Sequence, residues 1–125
     1  MKYNLMDHLL NPVIVTDENF KIIYYNHICS TYFKLPPRKL NKIVSIENLI
    51  ITDQINILDK IKTAKEFSTP IVSKEIDITL PEVESNSQTV ILKFIPFESE
   101  TIIHLWDFSI EKHLHEKYKL KIQEL

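Results

Sequence analysis

The 125-residue chain contains no glycine at all. Average usage near 7% would place about nine in a chain of this length. Phosphate-cradling loops and dinucleotide-binding turns need glycine, because only a residue without Cβ lets the backbone approach a phosphate at positive φ. Both motifs are excluded, and with them the enzymes built around them. Cysteine is reduced to Cys29, which has no partner for an internal disulfide and fits a reducing compartment. Long apolar runs are also missing: none reaches the roughly 20 residues that span a bilayer. Asn4, Asp7 and His8 interrupt the first ten residues, where a signal peptide needs an unbroken apolar stretch. There is no excess of one charge either, since 15 Lys and Arg face 17 Asp and Glu for a net −2. That balance offers no footprint for nucleic acid or an anionic membrane. The expectation is one soluble, cytoplasmic domain, too short to hold a separate catalytic domain.

What is present begins with Val13-Ile-Val-Thr-Asp-Glu-Asn-Phe-Lys-Ile-Ile-Tyr-Tyr-Asn26. Two runs rich in Val, Ile and Tyr flank an acidic turn, which is a β-hairpin signal. Asn26 is suited to cap a following helix, whose apolar positions Ile28, Cys29, Tyr32 and Phe33 share one face before Pro36-Pro37. Short helical turns are expected over 38–51. Thr52 is a candidate N-cap for a longer helix marked by Ile57, Leu58, Ile61 and Ala64. Three strands follow, over 71–80, 89–97 and 101–108, separated by a polar loop at 82–87 and a tight turn at 98–100. Upstream, Leu5, Met6, Leu9 and Leu10 predict a short amphipathic helix. Downstream, residues 110–125 read as a charge-rich helix with an imperfect heptad seam at Leu114, Tyr118 and Leu125. The order of elements is α+β.

Asp17, Asn26 and Asp107-Phe108-Ser109 resemble the two ends of a PAS domain. That family enters its first core helix through an Asp-turn-strand-Asn segment and closes with an Asp-aliphatic-Thr motif that couples the last strand to an output helix. Here Asn19 stands where the turn usually has glycine, and Ser109 stands for the closing threonine. The resemblance spans about 9–109. It implies a five-stranded antiparallel sheet with helices between strands 2 and 3, plus a C-terminal output helix. The implied layout is a flanking helix at 1–10, the PAS-like domain at 11–109 and the start of a signalling helix at 110–125. The fragment itself is expected to be no enzyme. It implies a sensory, signal-transmitting and dimerising domain of a larger signalling protein such as a sensor histidine kinase, with its output domain beyond residue 125. The alternatives are a ligand-free dimerisation scaffold of a diguanylate cyclase or chemoreceptor, and a small apolar-ligand-binding domain.

Under this resemblance, Asp107 shares the concave face with Ile103 and Leu105. The interior is then lined by Phe33, Ile57, Ile76, Ile78, Val90, Leu92, Ile103 and Leu105, an apolar set without an evident polar anchor. Such a set suits a filled core, or else a small apolar guest. Asp107, Phe108 and Ser109 form the signal-transfer junction, with Asp107 as its hinge anchor. Ile102 and Trp106 point outward and, with Leu5 and Leu9, form the expected homodimer face. Nothing in the residues asks for a cofactor. His113 and His115 stand two apart on a helix, unlike the i, i+4 pair that grips zinc. His8, His27 and His104 are isolated, and lone histidines are more often structural. The helix at 52–66 lacks the histidine that haem-binding relatives use, and Cys29 lacks the flavin-adduct context. Haem, flavin and metal are therefore not expected.

Overall fold

The computed structural model describes residues 10–110 together with 114, 116, 117 and 119, and of residues 83–86 the backbone alone. Among the described residues, six strands form one antiparallel sheet: β1 (Val13–Thr16), β2 (Ile22–Tyr25), β3 (Ile71–Val72), β4 (Ile76–Leu80), β5 (Val83–Phe97) and β6 (Glu100–Asp107). Their order is β2-β1-β6-β5, with β3 and β4 both paired to the remaining edge of β5. Helices α1 (Ile28–Phe33), α2 (Pro37–Leu40) and α3 (Ile57–Phe67), with a 3-10 turn at Ile46–Asn48, lie between β2 and β3 in sequence. The α+β order with helices between the second and third strands is as the sequence predicts. The strand expected over 71–80 is instead two, so the sheet has six strands rather than five.

The break has a local cause at Ser73. Its backbone N–H still donates to the Leu92 carbonyl, but its side-chain Oγ accepts from the Leu92 N–H at 2.9 Å. A hydroxyl thus replaces the backbone carbonyl in the ladder and the chain can leave the sheet before Ile76. Of the polar run expected as a loop at 82–87, all but Glu82 is strand. β5 starts at Val83, directly opposite Leu80, and pairs with β4 back to Val90.

Without glycine, four other residues among those described take positive φ: Phe20, Lys34, Ser68 and Glu98. Lys34 and Ser68 are the left-handed caps that end α1 and α3. Glu98 turns β5 into β6, where Phe97 faces Glu100. In the β1–β2 turn the left-handed residue is Phe20, not the expected Asn19. The reason is Asp17, whose Oδ1 accepts from the Asn19 and Lys21 N–H groups and fixes the turn one residue later.

One face of the sheet carries the core. Ile14, Ile76, Ile78, Val90, Leu92, Phe94, Ile103 and Leu105 are buried against Cys29, Phe33, Ile57, Ile61 and Ala64 of the helices. The alternation in β6 is strict: Thr101, Ile103 and Leu105 are buried, while Ile102, His104 and Trp106 are half-buried on the other face. The predicted helix at Thr52 begins later, at Ile57. Its cap is Asn56, whose side chain accepts from the Asp59 N–H, because the Thr52 hydroxyl donates to the Asp77 carbonyl instead.

Candidate functional site

The eight residues predicted to line the interior meet in one buried cluster, from Ile57 at 5% exposure down to 0% for Phe33 and Leu105. Each comes from an inward strand position or a helix face, as period-2 and period-3.6 patterning requires. The inner face is less uniformly apolar than the sequence suggested. Thr16 and Thr101 are cross-strand partners on this face, both fully buried, and neither hydroxyl has a hydrogen-bond partner. Each was missed because a strand threonine reads as a β-former. Open grooves run along the 51–54 segment. One of about 470 Å³ is lined by Ile51, Thr52, Asp53, Gln54, Asp77, Thr79 and Ser87. Another of about 490 Å³ is lined by the same 51–54 segment with Glu47, Ile50 and Ile57, and so reaches the edge of the cluster.

Asn26 does not cap α1. His27 occupies the cap position, and its side chain makes no capping bond to the helix. The fully buried Asn26 side chain instead accepts from the Val13 N–H at 3.0 Å and donates to the Asn11 carbonyl at 2.9 Å. It therefore stitches the start of β1 to the end of β2. The Cys29 thiol donates to Asn26 Oδ1 and to the Val13 carbonyl. Burial, only partly offset by these backbone contacts, pushes it up to about 12. At neutral pH it is a protonated packing group rather than a reactive thiolate.

The junction is joined by several directed hydrogen bonds. The Tyr32 hydroxyl donates to Asp107 Oδ2, reaching from α1 to the end of β6. Burial, and then the Asp107 hydrogen bond and charge, raise the Tyr32 pKa, so its proton is retained. Asp107 Oδ1 accepts from the Ser109 N–H at 2.7 Å, and Ser109 Oγ accepts from the Thr89 N–H at 2.8 Å. Ser109 Oγ also donates to Gln88 Oε1, and the Phe108 N–H donates to the Thr89 carbonyl. The first turn of the C-terminal helix, which starts at Ser109, is thus fastened to both α1 and β5. Sequence reasoning named Asp107 and Ser109 but missed Tyr32 and Thr89, which lie far away in the chain.

On the outer face, Trp106 stands opposite Ile91, and Ile102 opposite Ile95. His104 packs edge-on against Trp106, with ring centroids 5.3 Å apart. Burial, and then the Lys93 charge, lower its pKa. Ile102 and Trp106 are therefore half-buried on the same outer face, with the His104 and Lys93 pair between them. Leu10 is exposed, whereas Leu5, Leu9 and the rest of the predicted helix up to residue 9 lie outside the described residues. So does most of the tail, including His113 and His115. Among the described residues, no group of three or more His, Cys, Asp or Glu side chains could hold a metal ion. No helix of that part is long and apolar enough to cross a membrane.

No protein-family profile matches the chain, and no curated protein does. Solved structures do match. The PAS domain of nitrogen regulation protein NR(II) from Vibrio parahaemolyticus superposes with a TM-score of 0.66 at 12% identity, covering 86% of this chain and 97% of that one. The chain has the PAS fold. A PAS domain from a two-component sensor histidine kinase gives 0.60 at 8% identity, over 85% of this chain and 92% of that one. The PAS domain of BvgS from Bordetella pertussis gives 0.59 at 17% identity, over 96% and 94%. Within this fold, Asp107 stands at the end of the last strand, on the same face as the buried Ile103 and Leu105.

Proposed function

We propose that this PAS domain is the cytoplasmic sensory and signal-transmitting domain of a larger, homodimeric signalling protein, a sensor histidine kinase whose catalytic output domain follows residue 125. The fragment itself performs no catalysis. The observation that carries this reading is the junction. Asp107 bonds Tyr32 on one side and the Ser109 N–H on the other, so a shift of the inner face against α1 is felt by the first turn of the C-terminal helix. The likeness to a PAS domain from a two-component sensor histidine kinase supports the choice of output. Half-buried Trp106 and Ile102 on the outer sheet face, opposite Ile91 and Ile95, support a dimer through that face.

Asp107→Ala in the intact parent removes the acceptor of two hydrogen bonds, and the stimulus-dependent change in output should be lost. Unchanged regulation would refute the reading. Light scattering on the whole chain and on Trp106→Glu tests the dimer: a dimer that becomes monomeric supports the outer-face contact, and a dimer that persists refutes it.

A second reading, a transmission scaffold without a ligand, is supported by the near-zero exposure of the eight interior side chains. Native mass spectrometry of purified protein separates the two. A retained small molecule favours sensing, and a bare chain mass favours the scaffold.

A further inference from the structure

The junction does not end at Thr89. The Thr89 hydroxyl donates to Asp77 Oδ1 at 2.8 Å. The Asp77 backbone N–H donates to Gln54 Oε1 at 2.7 Å, and the Asp77 carbonyl accepts from the Thr52 hydroxyl at 2.9 Å. Thr52 Oγ1 in turn accepts from the Gln54 N–H, and the Ile51 carbonyl accepts from the Thr79 N–H at 2.8 Å. The 51–54 segment is therefore strapped along the outer edge of β4. A continuous hydrogen-bonded path leads from it across β4 and β5 to Ser109, Asp107 and Tyr32.

Resting on the signal-transmission reading, we propose that Thr52–Gln54, Asp77 and Thr89 form a relay that regulates the junction, so that the state of the 51–54 strap sets how firmly the first turn of the C-terminal helix is held. Three features carry this. Thr89 is the one described residue that meets both ends: its backbone N–H and carbonyl hold Ser109 and Phe108, and its hydroxyl holds Asp77. Thr89 is itself 8% exposed, so water competes poorly for its bonds. The far end is open to solvent, because Thr52, Gln54 and Asp77 all line the 470 Å³ groove. The strap can thus be displaced from outside while the junction end stays within the fold. Thr89 and Asp77 act here as positioning residues, through Ser109.

Amide hydrogen exchange on the 125-residue chain tests the relay without any output domain. Gln54→Ala cuts the far end, and Thr89→Val cuts the middle while keeping side-chain shape. Each should speed exchange at the Phe108 and Ser109 amides by about fivefold, the local-opening equivalent of one lost hydrogen bond. Thr89→Ser, which keeps the hydroxyl, should restore wild-type protection. Asn56→Ala frees the neighbouring cap of α3 but lies off the path, so it should leave Phe108 and Ser109 unchanged. If Gln54→Ala speeds exchange within the strap only, or if Asn56→Ala perturbs the junction equally, the relay is refuted. Failure of the signalling reading is seen elsewhere: exchange would respond as described, yet Asp107→Ala would leave the parent's output unaltered.

Discussion

Asn26 offers a sharp test, because its two possible roles predict opposite results for one substitution. As a helix cap it would be replaceable by serine, an equally good cap, with a loss below about 0.5 kcal/mol. As the stitch between β1 and β2, it holds the Val13 N–H and the Asn11 carbonyl through atoms 3.0 and 2.9 Å away. Serine is too short to reach both. Val13 is buried, so its N–H would be left without any partner, at a cost of about 1–3 kcal/mol. Asn11 is exposed, so water recovers most of the bond to its carbonyl. Adding the space left by the deleted amide, Asn26→Ala should lose about 2–4 kcal/mol. For a domain of this size that is a fall in Tm of about 8–16 °C. Asn26→Ser should recover less than half of it. Urea unfolding followed by Trp106 fluorescence measures both, with an unchanged slope showing that the unfolded reference is the same. If Asn26→Ser lies within about 0.5 kcal/mol of wild type, the stitch is wrong and the cap is right.

Lys34 ends α1 at φ 57 and ψ 38 with its side chain exposed. Lys34→Gly should therefore stabilise by about 0.5 kcal/mol, since relief of left-handed strain slightly exceeds glycine's extra unfolded-state entropy; a lower thermal midpoint would refute this. His104 has its pKa lowered by burial and then by Lys93. The unfolded chain therefore binds that proton more readily, and the histidine's contribution is fully present above its ordinary pKa of about 6.5 and is lost as pH falls through the lower folded value. Between neutral pH and about pH 5, the urea midpoint of wild type should fall relative to that of H104F. A constant gap between the two would show that His104 does not titrate abnormally.

Much of the fold was legible because burial follows period. Ile103 and Leu105 in β6 alternate with Ile102 and Trp106, and Ile76 and Ile78 in β4 alternate with Asp77 and Thr79. That pattern settles which face is inside before any contact is known. The misreadings cluster at polar residues with two uses. Thr52 and Asn26 both look like caps, since short oxygen-bearing side chains favour helix starts. Both instead bond backbone from another strand, at Asp77 and Val13. Nothing local distinguishes the two uses, because the competing partner is 25 residues from Thr52 and 13 from Asn26. The Ser73 break and the start of α3 at Ile57 rather than near Thr52 have the same origin.

The same physics explains why the candidate site is only half legible. The interior residues are apolar and find one another through burial, which needs no specific partner. The junction depends on directed bonds between Tyr32 and Asp107, 75 positions apart, and between Thr89 and Ser109, 20 apart. A tyrosine on a helix face and a threonine in a strand each have an ordinary packing reading, so neither stands out in one sequence. Their significance follows from the sheet register. Val90 opposite Asp107 sets the Thr89 N–H and carbonyl beside Phe108 and Ser109. A one-residue slip of β5 against β6 would turn Val90 and Leu92 out of the core. The apolar alternation that builds the interior thus also fixes the polar junction. Core substitutions that preserve register should therefore leave the Phe108 and Ser109 amides protected even where they reduce global stability.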